Sequence, residues 1–255
     1  MKSNKINIVT IAIGSILVYL MIWNASRIVS PLHLPSHSLM KSFVKNCLVL
    51  IPVVGTLLVL HKPKSIITSL GLNSSILKGL AYSFVLTLPL YIGFAIFGKF
   101  NSEITLSVIV RQCVLAALFE EIVFRGFMFG QLFRYSKVGF FWAAFFPAIL
   151  FGLGHIYQGH DIISSLAAFG ITFIGALYFS WIYVEWNFNL WMPICLHFFM
   201  NLSWQLFIID GTEVASGGLI SNILRISSIA LAIAMTLVHR KREKSKIFNY
   251  PIWTI

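Results

Sequence analysis

Eight apolar runs, each close to the length that crosses a bilayer, dominate this chain: roughly 6–23, 43–60, 76–98, 104–131, 139–157, 162–184, 189–209 and 218–238. A helix rises 1.5 Å per residue, so about 20 apolar residues cover the roughly 30 Å of hydrocarbon. Backbone polar groups inside lipid must pair with one another, and runs of this length do so as helices. The expectation is an all-α, polytopic transmembrane bundle of about eight spans. Composition points the same way. Of the 255 residues, 58% are hydrophobic and only 11% are charged, against about 25% in soluble domains. Eight acids cannot dress the surface of a soluble protein of this size.

The length suits one integral membrane domain over 1–255, with no appended soluble module. Lys2 and Lys5 precede the first run as in a signal peptide, but that run is too long and lacks an A-x-A site, so a retained span is expected. The net charge of +11 is spread over short loops and the stretch His239-Arg240-Lys241-Arg242-Glu243-Lys244. This is the distribution of a membrane protein's cytoplasmic face and gives no reason to expect nucleic acid as a partner. With eight spans, Lys2, Lys5, Lys62, Lys64, Arg134, Lys137 and the basic stretch share one side, while Asp161, Asp210 and Glu213 fall on the other. Arg27, Lys41 and Lys45 weaken this bias, and the balance places both termini in the cytoplasm. Cys47, Cys113 and Cys195 lie in apolar stretches without CxxC pairing and read as packing residues.

Within the fourth run stand Glu120, Glu121 and Arg125. Charges at that depth cost several kcal/mol each and persist where they face the bundle interior with partners. Glu121 and Arg125 are four apart and share a helix face, so they can pair. Glu120, turned about 100° away, has no local counter-charge and suits general acid and base work. The plainer reading is a buried ion pair that staples helices; it fits Glu121 and Arg125 better than it fits the second acid. His155 follows Phe151, Gly152 and Gly154 near the end of the fifth run, where a lone histidine is often a polar cap. His197 and Asn201 are four apart in the seventh run, a spacing that also serves plain interhelical hydrogen bonding.

Depth tests whether these residues can meet. Arg134, residue 138 and residue 188 serve as one membrane boundary. Measured from it, Glu120 lies about 21 Å deep, His155 about 25 Å, Asn201 about 20 Å and His197 about 13 Å. Three helices thus bring polar groups to comparable levels, as one shared site requires.

Glu-Glu-x-x-x-Arg (Glu120, Glu121, Arg125), Phe-x-x-x-His (Phe151, His155) and His-x-x-x-Asn (His197, Asn201), in that order, resemble the CPBP family. These are the CAAX-protease and bacteriocin-processing intramembrane endopeptidases, also called the ABI family. The motifs cover about 119–201, within an expected catalytic core of 104–209. The resemblance implies an endopeptidase in which Glu120 and His155 position and deprotonate water. It also implies that His197 and Asn201 stabilise the oxyanion while Glu121 and Arg125 brace the site. Family members are often described as metalloproteases, and Glu120, His155 and His197 are the candidate zinc ligands. There is no His-Glu-x-x-His helix, the histidines lie on different helices and Asn201 is a poor zinc ligand, so metal-free glutamate chemistry is slightly favoured over zinc. The implied partners are membrane lipid and a peptide or protein cleaved beside the membrane. The composition suggests a bacterial inner or plasma membrane, where peptide leaders or membrane-protein termini are better candidates than prenylated proteins. Two rivals remain: a non-catalytic immunity or regulatory protein of the same fold, and a proton- or ion-coupled transporter. The transporter lacks support from any inverted repeat.

Overall fold

The computed structural model describes residues 4–35, 38–209 and 217–254. Lys2, Asp210 and Glu213, three of the charges used for topology, lie outside the described residues. Helix α1 is Asn4–Val29 and α2 is Leu39–Leu60. A short α3, Ile66–Leu70, ends on Gly71 in the left-handed region at φ +81°. There a Cβ would strike the Phe188 carbonyl at 2.0 Å, so only glycine fits. Helix α4 is Ile76–Phe97. A continuous helix over 106–136, α5, follows. Then come α6 (Phe140–Leu153), α7 (Ile162–Glu185), α8 (Trp191–Leu206) and α9 (Leu219–Arg242). Two-residue strands β1 (Lys99–Phe100) and β2 (Phe207–Ile208) pair antiparallel, Lys99 opposite Ile208. They tie the end of α4 to the end of α8.

The bundle is organised around α5. Its residues 123–131 are all buried, nine in succession, so neighbours surround it on every side. By contrast, α1 presents Ile6, Val9, Ile13, Ile16 and Leu20 outward, as a lipid-facing helix does. Close approach is made by small residues, as is usual where lipid replaces water. Gly14 of α1 lies against Thr56 of α2, and Gly79 of α4 lies against the Trp191 backbone of α8. Ser83 donates to the Met192 carbonyl at 3.0 Å and Tyr91 to the Phe199 carbonyl at 2.9 Å, fastening α4 along α8.

The polytopic helical bundle expected from hydropathy is what the structure shows. Six described helices are long and apolar enough to cross a membrane: α1, α2, α4, α6 with its following turn, α7 and α9. The two remaining runs, 104–131 and 189–209, form α5 and α8, and these two carry most of the expected site. Helix α8 has 16 residues, about 24 Å of rise, and leads directly into β2. Helix α5 is interrupted by wider π turns at Ile109–Leu115, Ile122–Phe129 and Gln131–Tyr135. It also extends beyond the apolar run to residue 136.

On one end of the bundle, Arg134 of α5 donates to the Ser69 carbonyl at 2.7 Å and to the Tyr183 hydroxyl at 3.0 Å, with Phe188 stacked 4.5 Å from its guanidinium. Arg134 and residue 188 therefore do share one level, as the depth estimate assumed. On the opposite end α7 begins with a capping box. The Asp161 carboxylate accepts from the Ser164 N–H at 2.7 Å, and the Ser164 hydroxyl oxygen accepts from the Asp161 N–H at 3.0 Å. These bonds from Ser164 hold the Asp161 carboxyl below its usual range.

Candidate active site

Glu121 is the centre of the polar interior. It is fully buried, and its Oε1 accepts from Arg125 Nη1 at 3.0 Å and from His197 Nδ1 at 2.8 Å. The i,i+4 pairing was legible in the sequence; the bond to His197, from 76 positions away, was not. Arg125 is held further by aromatic faces, with Phe151 of α6 4.7 Å and Phe179 of α7 5.2 Å from its guanidinium carbon. Such stacking attracts a cation to the electron-rich ring face and steadies the ion pair away from water.

Phe151 performs a second task. Its ring lies 4.4 Å from that of His155, and its carbonyl accepts from His155 Nδ1 at 2.7 Å. His155 itself stands two residues past the end of α6, half-buried, beside exposed Leu153 and Gly154. The Phe-x-x-x-His motif thus links the histidine to the braced arginine through a single aromatic residue.

The tautomers follow from the partners. A carbonyl or an ionised carboxylate can only accept, so Nδ1 is the protonated nitrogen of both His155 and His197. In the neutral ring, Nε2 is then left with its lone pair. Glu120, half-buried one residue from the central carboxylate, keeps Oε2 buried without a hydrogen-bond partner. Asn201 of α8 donates from Nδ2 to the Gln112 carbonyl of α5 at 2.8 Å, which leaves its second amide N–H and its carbonyl oxygen available. Glu121, Arg125 and His197 are therefore directly joined, and His155 is joined through Phe151. Glu120 and Asn201 flank this group on the same two helices, without a hydrogen bond to it among the described residues.

The zinc expectation was that Glu120, His155 and His197 could share a cation. Among the described residues no three His, Cys, Asp or Glu side chains come together as a group that could hold one. A zinc site needs at least three protein ligands around one point. As arranged, the residues do not fit that set, and no step below passes through a metal.

Two further polar features were missed in the sequence. Glu185, which falls between the apolar runs 162–184 and 189–209, is the last residue of α7 and is fully buried. Arg225 stands within α9, its guanidinium 5.1 Å from the Trp204 ring and its Nη1 donating to Asn222 at 3.0 Å. A lone arginine inside an apolar run was the available signal for the second. For Glu185, the signal was an acid at the inner end of a span in a chain poor in acids.

Residues 102–203 match the model of the family described as type II CAAX prenyl endopeptidase Rce1-like. A protein of Bacillus subtilis (strain 168) named "Putative membrane peptidase YdiL" is 31% identical over 93 residues, 36% of this chain and 34% of the relative. The chain thus spans about a third of the length of that relative. No solved structure matches the chain. The matched segment contains all three motifs and both helices that flank the Glu121 ion pair. Residues 102–203 of this integral membrane protein are thus similar to the Rce1-like endopeptidases, consistent with the CPBP resemblance of their motifs.

Proposed function

We propose that this protein is an intramembrane endopeptidase that hydrolyses a peptide bond with water activated by Glu120 and His155. The observation that carries the reading is the division of labour between adjacent acids. Both acids keep Oε2 buried without a hydrogen-bond partner, but Glu121 Oε1 already accepts from an arginine and a histidine. A carboxylate already held by an arginine and a histidine is the poorer base; its neighbour without such donors is the better one.

In this scheme water is held between the Glu120 carboxylate and His155 Nε2. Glu120 takes a proton as the water oxygen attacks the substrate carbonyl carbon, and the carbonyl π electrons move onto oxygen. Asn201 donates its free N–H to that oxyanion. His197 can add a second donor from Nε2 when its ring carries two protons, paired through Nδ1 to Glu121. Glu120 then returns its proton to the leaving amine as the C–N bond breaks. Glu121 and Arg125 keep His197 in place. The substrate we propose is a peptide or protein whose scissile bond lies beside a membrane, and the setting a bacterial inner or plasma membrane. Lys62 and Lys64, Arg134 and the basic stretch 239–246 gather at one end of the bundle. This supports cytoplasmic placement of that end and of both termini.

The test is Glu120→Gln in the purified full-length protein reconstituted in lipid. Cleavage of a membrane-proximal peptide library should fall about 10²- to 10⁴-fold, the usual contribution of a general base, with the unfolding midpoint retained. Wild-type cleavage from the Gln variant would remove the protease reading and favour the immunity or regulatory one. Activity lost on chelation and restored by zinc would replace the metal-free route.

A further inference from the structure

Beyond α9, residues 243–254 turn back across the bundle as a strap, outside the segment that matches the family. An ion pair and two hydrogen bonds fasten it or its root to the buried Glu185. Arg240 Nε lies 2.9 Å from Oε2, the Phe248 N–H donates to Oε1 at 3.0 Å and the Tyr250 hydroxyl donates to Oε1 at 3.1 Å. Burial, and then the neighbouring Glu185 carboxylate, push the Tyr250 hydroxyl up from its ordinary pKa, so it remains a donor. Past that anchor the strap reaches the start of α6. Carbonyls of Pro251, Ile252 and Thr254 accept from the N–H groups of Phe140, Phe141 and Gly139. These N–H groups open the helix and have no partner within it. Tyr250 also packs on Phe133 of α5 and on Phe140, and Trp253 packs on Phe141. One strap therefore joins the helix that bears Glu120 to the helix that bears Phe151 and ends just before His155.

Resting on the protease reading, we propose that the strap and its Glu185 anchor are positioning elements that fix α6, and with it His155, relative to Glu120. Helix α6 is well suited to transmit such a constraint: its 14 residues include Ala143, Ala144, Pro147, Ala148 and Phe151 buried against the core. The site end of the helix is loose by comparison, with Leu153, Gly154, Ile156 and Tyr157 exposed.

Gly139 offers a way to lift the strap without touching the site. A Cβ there would meet Thr254 N at 2.6 Å and Ile252 O at 2.7 Å, backbone atoms that must move away, while the Gly139 dihedrals themselves suit alanine. Gly139→Ala, a deletion from Ile247 onward, and Glu185→Gln would be compared with wild type in lipid. Hydrogen–deuterium exchange would be followed over 142–158 and over α1. For Gly139→Ala and the deletion, exchange over 142–158 should rise while α1 is unchanged. The kcat should fall about tenfold to a hundredfold, since a displacement of about 1 Å at a reacting group costs that much, with KM within about twofold. Glu185→Gln still accepts through Oε1 and should lose less than about threefold in kcat. A lifted strap, shown by faster exchange at 250–254, with wild-type kcat and wild-type exchange over 142–158 overturns the proposal. If wild type cleaves nothing, the protease reading fails by itself, and the exchange over 142–158 still decides whether the strap fixes α6.

Discussion

Glu121 and Glu185 are both fully shielded from solvent, and each is paired with an arginine, at 3.0 Å and 2.9 Å respectively. Their surroundings differ in what is left over. Around Glu185 the partners are a guanidinium in ion-pair contact, a backbone N–H and a phenol, all from one stretch of chain. Around Glu121 they come from two helices, with further polar groups beside them. Each histidine uses one nitrogen and keeps the other, and adjacent Glu120 keeps an oxygen unpaired. A buried cluster drawn from one stretch of chain fastens that stretch in place; one that gathers two histidines and a second acid from several helices has groups with which to act on a substrate.

The most damaging challenge to this contrast is Glu121→Ala, which strands Arg125 between two phenyl rings with 2% of its side chain exposed. Removing one partner of a buried ion pair typically costs about 3 to 5 kcal/mol, to be read from equilibrium unfolding in mixed micelles. Asn201→Ala should act on catalysis alone. Loss of one oxyanion donor lowers kcat about 10²-fold, with stability changed by less than about 1 kcal/mol. A large loss of stability in its place would make Asn201 a helix fastener. Glu185→Ala should destabilise by only about 1 to 3 kcal/mol, because Arg240, with 12% of its side chain exposed, can turn toward water. Equality with Glu121→Ala would erase the distinction between the two clusters. The smallest effect is at Asp161. Its folded-state pKa is depressed, so the cap contributes fully above the unfolded value of about 3.9 and is lost as pH falls through the lower folded value. Asp161→Asn should make stability flatter across that acid range, measured as the unfolding midpoint against pH.

Much of the fold was legible because lipid simplifies the code: long apolar runs mark helices, and charges inside them mark the interior. Glu121 with Arg125 followed from helical spacing, and His197 with Asn201 likewise. The pairing of His197 with Glu121 was not legible, since it depends on how α8 crosses α5. Nor were the π turns of α5, whose wider spacing carries no hydropathy signature, so the full extent of that helix was underestimated. Glu185 was hidden for a different reason. Its partners lie 55 to 65 positions further on, in a segment whose polar and aromatic character looks like an ordinary solvated end.

The strap also imposes an order on assembly. Chains are made and inserted from the N-terminal side, so α6 enters the membrane while the acceptors for its first N–H groups, on residues 251–254, are still to come. Those acceptors arrive only after α9 has been synthesised. Glu120 and His155 are thus present in the nascent protein well before α6 is clamped. The clamp on the first turn of α6 can therefore close only after residues 251–254 have been made.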